Sequence, residues 1–215
     1  PSRAALITGH QFWTHDANVA IRKDSPNFGE IIQAAGYRTM MVGKWHAFGN
    51  PFERGFHRHF GFMTGGCDFF LGNDTFTLDG KPWTVPKDDF YATYEFTDYA
   101  DQFIREEQAA HPDQPFFLYL AYNAPHSPIQ APADQVAKYR SKYLKGWDAI
   151  RKERFARQQA IGLAGDGWNF PNRPENIPPW DSLDEQSRDF EDLRMATYAA
   201  MVDCVDQGAG RVMRT

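Results

Sequence analysis

The chain has 215 residues, and its 23 Lys and Arg against 28 Asp and Glu give a formal net charge of −5. With 42% hydrophobic and 24% charged residues, its composition is typical of a folded globular protein and excludes wholesale disorder. The mildly acidic balance argues against general nucleic-acid binding, and the longest apolar run, Phe116 to Tyr122, is too short to span a membrane. Two cysteines, Cys67 and Cys204, allow at most one disulfide.

The two ends of the chain suggest that it belongs to something longer. It opens on Pro1-Ser2-Arg3 without a Met, and its last residues have a helical pattern. We therefore interpret it as an internal part of a larger protein, in which case the lack of a targeting segment carries no information on compartment.

Local signals divide the chain into helices and strands separated by stretches rich in Gly, Pro and Asn. In chain order these are a helix over 1–8 stopped by Gly9, a helix from Ser25-Pro26 to Gly36, a strand over 37–42, a hairpin around Asp79-Gly80, a helix capped by Thr97 and running over 98–110, a strand over 116–122 covered on both faces, a helical stretch over 133–161, and a helix from about 184 onward. A helix followed by a strand occurs twice, with short connections. That pattern predicts an α/β fold with parallel strands and crossover helices.

Polar groups follow both predicted strands at their carboxyl ends, where ligands bind in open α/β sheets. Lys44 and His46 follow the first strand, and their spacing places them on one side of an extended chain. His126, whose backbone is restricted by Pro125 and Pro128, follows the second. Together they would form a cationic site that donates hydrogen bonds to an oxyanion. Two alternatives are also compatible with the spacing. The three residues could be unrelated surface residues, or the two His could bind a metal ion together with a third ligand.

Arg3 adds a second element to this possible anion site. It lies in the first turn of the first predicted helix, where free N–H groups attract anions and a guanidinium can add charge-assisted hydrogen bonds. An exposed arginine on a helix is the simpler alternative.

Three further features have less specific interpretations. Residues 138–157 carry eight Lys and Arg against two acids, which indicates a solvated helix face or, alternatively, attraction of a polyanionic substrate. His57 and His59 are interpreted as a surface pair in a loop, with a ligand pair as the alternative. His10 and His15 follow the first helix and could face the same cleft as the cationic residues.

Taken together, the motifs resemble the sulfatase family of the alkaline phosphatase-like superfamily. Pro1 to Gly9 (Pro-Ser-Arg-Ala-Ala-Leu-Ile-Thr-Gly) is similar to the tail of the first sulfatase signature, Cys/Ser-x-Pro-Ser-Arg-x-x-Leu-x-Thr-Gly, and 36–46 (Gly-Tyr-Arg-Thr-Met-Met-Val-Gly-Lys-Trp-His) to the second. Residues 116–128 are similar to a later strand and its His-bearing turn, and 198–211 to the helix that precedes the family's second group of metal ligands. These matches occur in family order.

The resemblance implies the α/β, alkaline phosphatase-like sandwich, with a mostly parallel central sheet flanked by helices and truncated at both ends. Residues 1–215 would then be part of a sulfatase catalytic domain. The nucleophile would lie two residues before Pro1, as a Cys or Ser that a formylglycine-generating enzyme or equivalent maturase converts to formylglycine. The calcium ligands would also lie outside the chain, so no residue here is assigned to a metal.

The resemblance also assigns roles to individual residues. Arg3 would hold the formylglycine hydrate, Lys44 and His126 would bind the sulfate oxygens and assist the leaving group, and His46 would orient the hydrate or take its proton. The substrate would be a sulfated small molecule or glycan, and export to the periplasm or cell exterior would be expected. His57 stands where relatives often carry Asp. A phosphoesterase or phosphonate hydrolase of the same superfamily, and a non-catalytic anion- or glycan-binding relative, are the alternatives.

Overall fold

The computed structural model of this chain describes residues 2–11, 25–47, 49–165 and 167–215. In chain order its helices and strands are α1 (Ser2–Thr8), α2 (Phe28–Ala34), β1 (Arg38–Lys44), β2 (Arg58–Phe62), β3 (Phe76–Leu78), β4 (Lys81–Pro82), α3 (Ala92–Ala110), β5 (Phe116–Ala121), α4 (Ala133–Ala137), α5 (Trp147–Ala160) and α6 (Glu185–Val212). The described residues form two compact units, one over 1–130 and 204–215 and one over 131–203. Among the described helices, none has an apolar stretch that would cross a lipid bilayer.

The first unit is built on a five-stranded sheet in the order β4-β3-β2-β1-β5. The strands β2, β1 and β5 are parallel, with Val42 of β1 opposite Phe60 and Leu120. The strands β3 and β4 add an antiparallel edge through the hairpin at Asp79-Gly80. Both turn residues have positive φ angles, as a two-residue hairpin of this kind requires. The predicted α/β fold with a mostly parallel sheet and flanking helices is therefore confirmed.

Helices cover both faces of the sheet. Alternate residues of a strand point to opposite faces, so each face of the sheet packs its own set of side chains against a helix. On one face, Phe60 of β2 stacks on Tyr99 of α3 with ring centroids 3.6 Å apart. On the other, Met41 packs with Ala4 and Ile7 of α1 in a fully buried cluster. The segment 39–43 of β1 is buried throughout, and its centre is the apolar run Met40-Met41-Val42. The carboxyl end of β1 thus opens beside the start of α1.

Two predicted helix starts were wrong. The N-cap of α2 is Asn27, not Ser25, because Asn27 Oδ1 accepts from Gly29 N at 2.7 Å and Glu30 completes a capping box. The helix α3 begins at Ala92, and Thr97 lies inside it with its hydroxyl donating to the Thr93 carbonyl at 2.9 Å. Its hydroxyl therefore makes a bond within the helix and does not cap it.

The predicted helix over 133–161, in the second unit, is interrupted. The buried Asp192 carboxylate accepts from the backbone N–H groups of Ser141 at 2.9 Å and Tyr143 at 3.0 Å. These bonds hold a turn between α4 and α5, with Ser141 at a φ of 67°. Part of the basic charge here is compensated internally, since Arg140 pairs with Asp192 at 2.7 Å and Lys145 with Glu153.

Two smaller expectations also changed, and the open question of a disulfide is answered. The strand β5 is half-buried over most of its length, so the expectation of cover on both faces was wrong. His59 is not in a surface loop but on β2, fully buried, and His57 accepts from the backbone N–H of Thr39 through Nδ1 at 3.1 Å. Cys67 and Cys204 are both buried and both free, so they form no disulfide with each other.

Candidate active site

The four residues predicted from the sequence line a single cleft of about 520 Å³. Arg3 comes from the first turn of α1, Lys44 ends β1, His46 follows two residues later, and His126 lies in the turn after β5. Ser2, Leu6 and Tyr119 complete the lining. The cleft lies at the carboxyl ends of two parallel strands, where open α/β sheets bind their ligands.

Arg3 is held in place by two acceptors from distant parts of the chain. Its Nη1 donates to the backbone carbonyl of Lys44 at 2.8 Å and to the hydroxyl of Tyr119 at 2.9 Å. The burial of Ala4 and Ile7 in the core fixes the helix that carries it. The guanidinium direction is therefore determined before any ligand enters the cleft.

Lys44 is half-buried, and its ammonium donates to the Gly65 carbonyl in the loop after β2. Burial, and then the nearby charge of Arg3, lower the pKa of Lys44 below its usual value. Two cations beside each other in a partly desolvated cleft repel, and an entering anion relieves that repulsion. This arrangement favours an anionic ligand.

His46 lies two residues after the end of the strand and has a left-handed backbone with a φ of 46°. Burial lowers the pKa of His46 from its usual 6.5, and Lys44, Arg3 and His126 lower it further. The imidazole is therefore mostly neutral at pH 7, and one ring nitrogen is free to accept a proton.

His126 is exposed, and its ring is oriented by its own turn. Its backbone N–H donates to the Asn123 carbonyl at 3.0 Å, and Nδ1 lies 2.7 Å from the Ser127 carbonyl. A carbonyl oxygen only accepts, so Nδ1 carries a proton and Nε2 is the nitrogen left for a ligand. Nε2 therefore points to the cleft as the ring atom that can contact a ligand.

The described residues do not provide a metal site. None of the lining residues of the cleft that the structure describes is a carboxylate, and no three His, Cys, Asp or Glu side chains of the described residues gather closely enough to hold an ion. The donor set of the cleft, a guanidinium, an ammonium and two imidazoles, suits an oxyanion and not a calcium ion, which takes oxygen ligands.

Two residues at the cleft were missed by sequence reasoning. Tyr119 lies on β5 two residues before Ala121, and alternation along that strand would have placed both on the face that carries the cleft. Gly65, which contacts both Lys44 and His46, belongs to a loop with no motif that signals it. Of the other histidines, His10 is absent from the described lining of the cleft, and His15 lies outside the described residues.

The sulfatase family model matches residues 1–215, the full length of the chain. The chain belongs to the sulfatase family. It is 30% identical over 244 aligned positions to the arylsulfatase of Klebsiella aerogenes, covering 100% of this chain and 52% of that protein. It is 34% identical to arylsulfatase J of Mus musculus over 66% of this chain and 27% of that protein.

The family assignment extends to the fold. The crystal structure of Ps i-CgsB in complex with k-i-k-neocarrahexaose matches all of this sulfatase-family chain with a TM-score of 0.61 and 27% identity, and 43% of its own length is covered. The fold is therefore the alkaline phosphatase-like fold of the sulfatases. The chain spans about half the length of the Klebsiella arylsulfatase and less of the other two proteins.

Proposed function

We propose that the protein containing this chain hydrolyses sulfate esters, and that the cleft binds the sulfate group. The observation that supports this most directly is the meeting of Arg3, Lys44, His46 and His126 around one cleft. Their cationic and proton-bearing groups come from three separated segments of the chain, and no acid among the described lining residues neutralises them. Sulfatase relatives along the whole chain favour sulfate over other tetrahedral anions.

The roles follow from the direction of each side chain. Lys44 and the Nε2 atom of His126 are the donors available for sulfate oxygens. One N–H of the Lys44 ammonium is bonded to the Gly65 carbonyl, which leaves two others, and Nδ1 of His126 is bonded to the Ser127 carbonyl. Charge that develops on these oxygens and on the leaving group is stabilised by donors already in place. Protonated His126 gives a proton to the departing ester oxygen, which leaves as an alcohol.

His46 and Arg3 act on the side of the attacking group. His46 is mostly neutral at pH 7 and accepts the proton of the attacking hydroxyl, while Arg3 orients that hydroxyl. In formylglycine-dependent relatives the hydrated aldehyde supplies this hydroxyl, and we propose the same group, installed by a maturase, for the whole protein. A calcium ion would have to be held by residues other than those described.

The substrate class we propose is a sulfated glycan or aryl sulfate. One structural relative is complexed with a neocarrahexaose, and sequence relatives include arylsulfatases and an N-acetylglucosamine-6-O-sulfatase. The cleft of about 520 Å³ has room for a sulfate with its attached ring.

The test compares turnover of p-nitrophenyl sulfate and p-nitrophenyl phosphate by the whole protein and its variants. We expect hydrolysis of the sulfate ester, a loss of about 100-fold in kcat/KM for Lys44→Ala, and wild-type turnover for the exposed Lys87→Ala. Preference for the phosphate ester would indicate a phosphoesterase. No turnover of either ester, with anion binding retained, would indicate a non-catalytic relative.

A further inference from the structure

The loop after β2 approaches the cleft through a single residue, Gly65. Its carbonyl accepts a hydrogen bond from the ammonium of Lys44. An ammonium on a flexible four-carbon side chain has no preferred direction of its own. The Gly65 carbonyl supplies that direction, since it holds one of the three N–H groups and leaves the other two for a ligand.

The same glycine lies against His46. A Cβ atom added to Gly65 would lie 3.1 Å from Cε1 and 3.2 Å from Nε2 of the imidazole, which is closer than ordinary van der Waals contact. The ring therefore lies close to the space that a side chain at Gly65 would fill. Gly66 has more space around it. The atom nearest to a Cβ added there would be the Ser127 carbonyl oxygen, at 3.9 Å.

The position of Gly65 is set by the loop and not by the two groups it contacts. Asn73 Nδ2 donates to the Thr64 hydroxyl at 3.0 Å and to the Gly66 carbonyl at 3.1 Å, so it bonds to both neighbours of Gly65. Asn73 Oδ1 accepts from the Thr75 N–H at 2.9 Å. The loop is thus tied at both sides of the glycine.

We infer that Gly65 is a positioning residue for the reaction, setting the direction of the Lys44 ammonium through its carbonyl and the place of the His46 imidazole through its missing side chain. The inference rests on the proposed function, since it concerns two groups assigned to sulfate hydrolysis. A displacement of about 1 Å in such groups is enough to lower a rate, because the reacting atoms must be aligned.

The experiment compares Gly65→Ala with the adjacent Gly66→Ala in the whole protein. Neither glycine has a positive φ, so alanine fits both backbones. We expect kcat/KM for an aryl sulfate to fall about tenfold or more in Gly65→Ala and to stay within about twofold of wild type in Gly66→Ala, with equal melting temperatures. The added methyl pushes the imidazole toward the open cleft. The acid side of the pH–rate profile should therefore move to higher pH in Gly65→Ala and not in Gly66→Ala.

A third variant acts on the loop without adding volume. Asn73→Ala removes the bonds to Thr64, Gly66 and Thr75 without introducing a charge, and we expect a smaller loss of kcat/KM than in Gly65→Ala with the same direction of pH shift. Equal activities and pH profiles for Gly65→Ala and Gly66→Ala in an active protein would overturn the inference. An inactive wild-type protein would instead overturn the proposed function.

Discussion

The buried imidazole of His59 makes the stability of this fold depend on pH. His59 is fully buried on β2, and its Nε2 has no hydrogen-bond partner among the described residues. Burial lowers the pKa of His59 from 6.5 to about 3. In the unfolded chain the imidazole titrates at its usual value. As the pH falls from 6.5 toward 3, the imidazole binds a proton in the unfolded state but not in the folded state. The free energy of unfolding therefore decreases across that pH range.

The size of the effect follows from the two pKa values. At pH 7 the linkage contributes almost nothing, because both states are mostly neutral. A pH of 5 is about 1.5 units below the pKa of the imidazole in the unfolded chain, so protonation stabilises the unfolded state and lowers the free energy of unfolding by about 2 kcal/mol. Replacement by leucine removes the titrating group, and therefore removes this part of the pH dependence.

The assay is urea unfolding of the whole protein at pH 7 and pH 5. We expect the drop in unfolding free energy between the two pH values to be smaller by about 2 kcal/mol in His59→Leu than in wild type. Val42→Ala is the control, because it opens a cavity in the same sheet without a titrating group and should lower stability equally at both pH values. An unchanged drop in His59→Leu would refute the reasoning.

Three further predictions concern the cleft and the second unit. Tyr119→Phe removes an acceptor of Arg3, and kcat/KM for an aryl sulfate should fall about fivefold, whereas Tyr122→Phe should match wild type in the same assay. The acid side of the pH–rate profile should have an apparent pKa below 6.5, because burial and then Lys44 lower the pKa of His46; an acid limb above 6.5 would contradict the role of His46 as proton acceptor. Asp192→Asn breaks a buried ion pair that also caps a turn, so urea unfolding should show a loss of about 3 kcal/mol, against little change for the exposed Asp189→Asn.

Local sequence was enough to determine the elements that carry the site. The apolar run of β1, ended by Gly43-Lys44, and the prolines around His126 place each residue at a strand end from neighbours within a few positions. The hairpin at Asp79-Gly80 is also local, because its geometry depends on the backbone freedom of two residues. Such features follow from period and turn chemistry, which the linear sequence contains.

Only the tertiary structure decided which distant groups meet. The bond between Arg3 and Tyr119 joins residues 116 positions apart, and that between Lys44 and Gly65 joins residues 21 apart. The burial of His59 depends on β2 becoming an interior strand, and the break between α4 and α5 depends on a carboxylate about 50 residues later in the chain. No local pattern contains these contacts, because the packing of whole elements determines the distances between them.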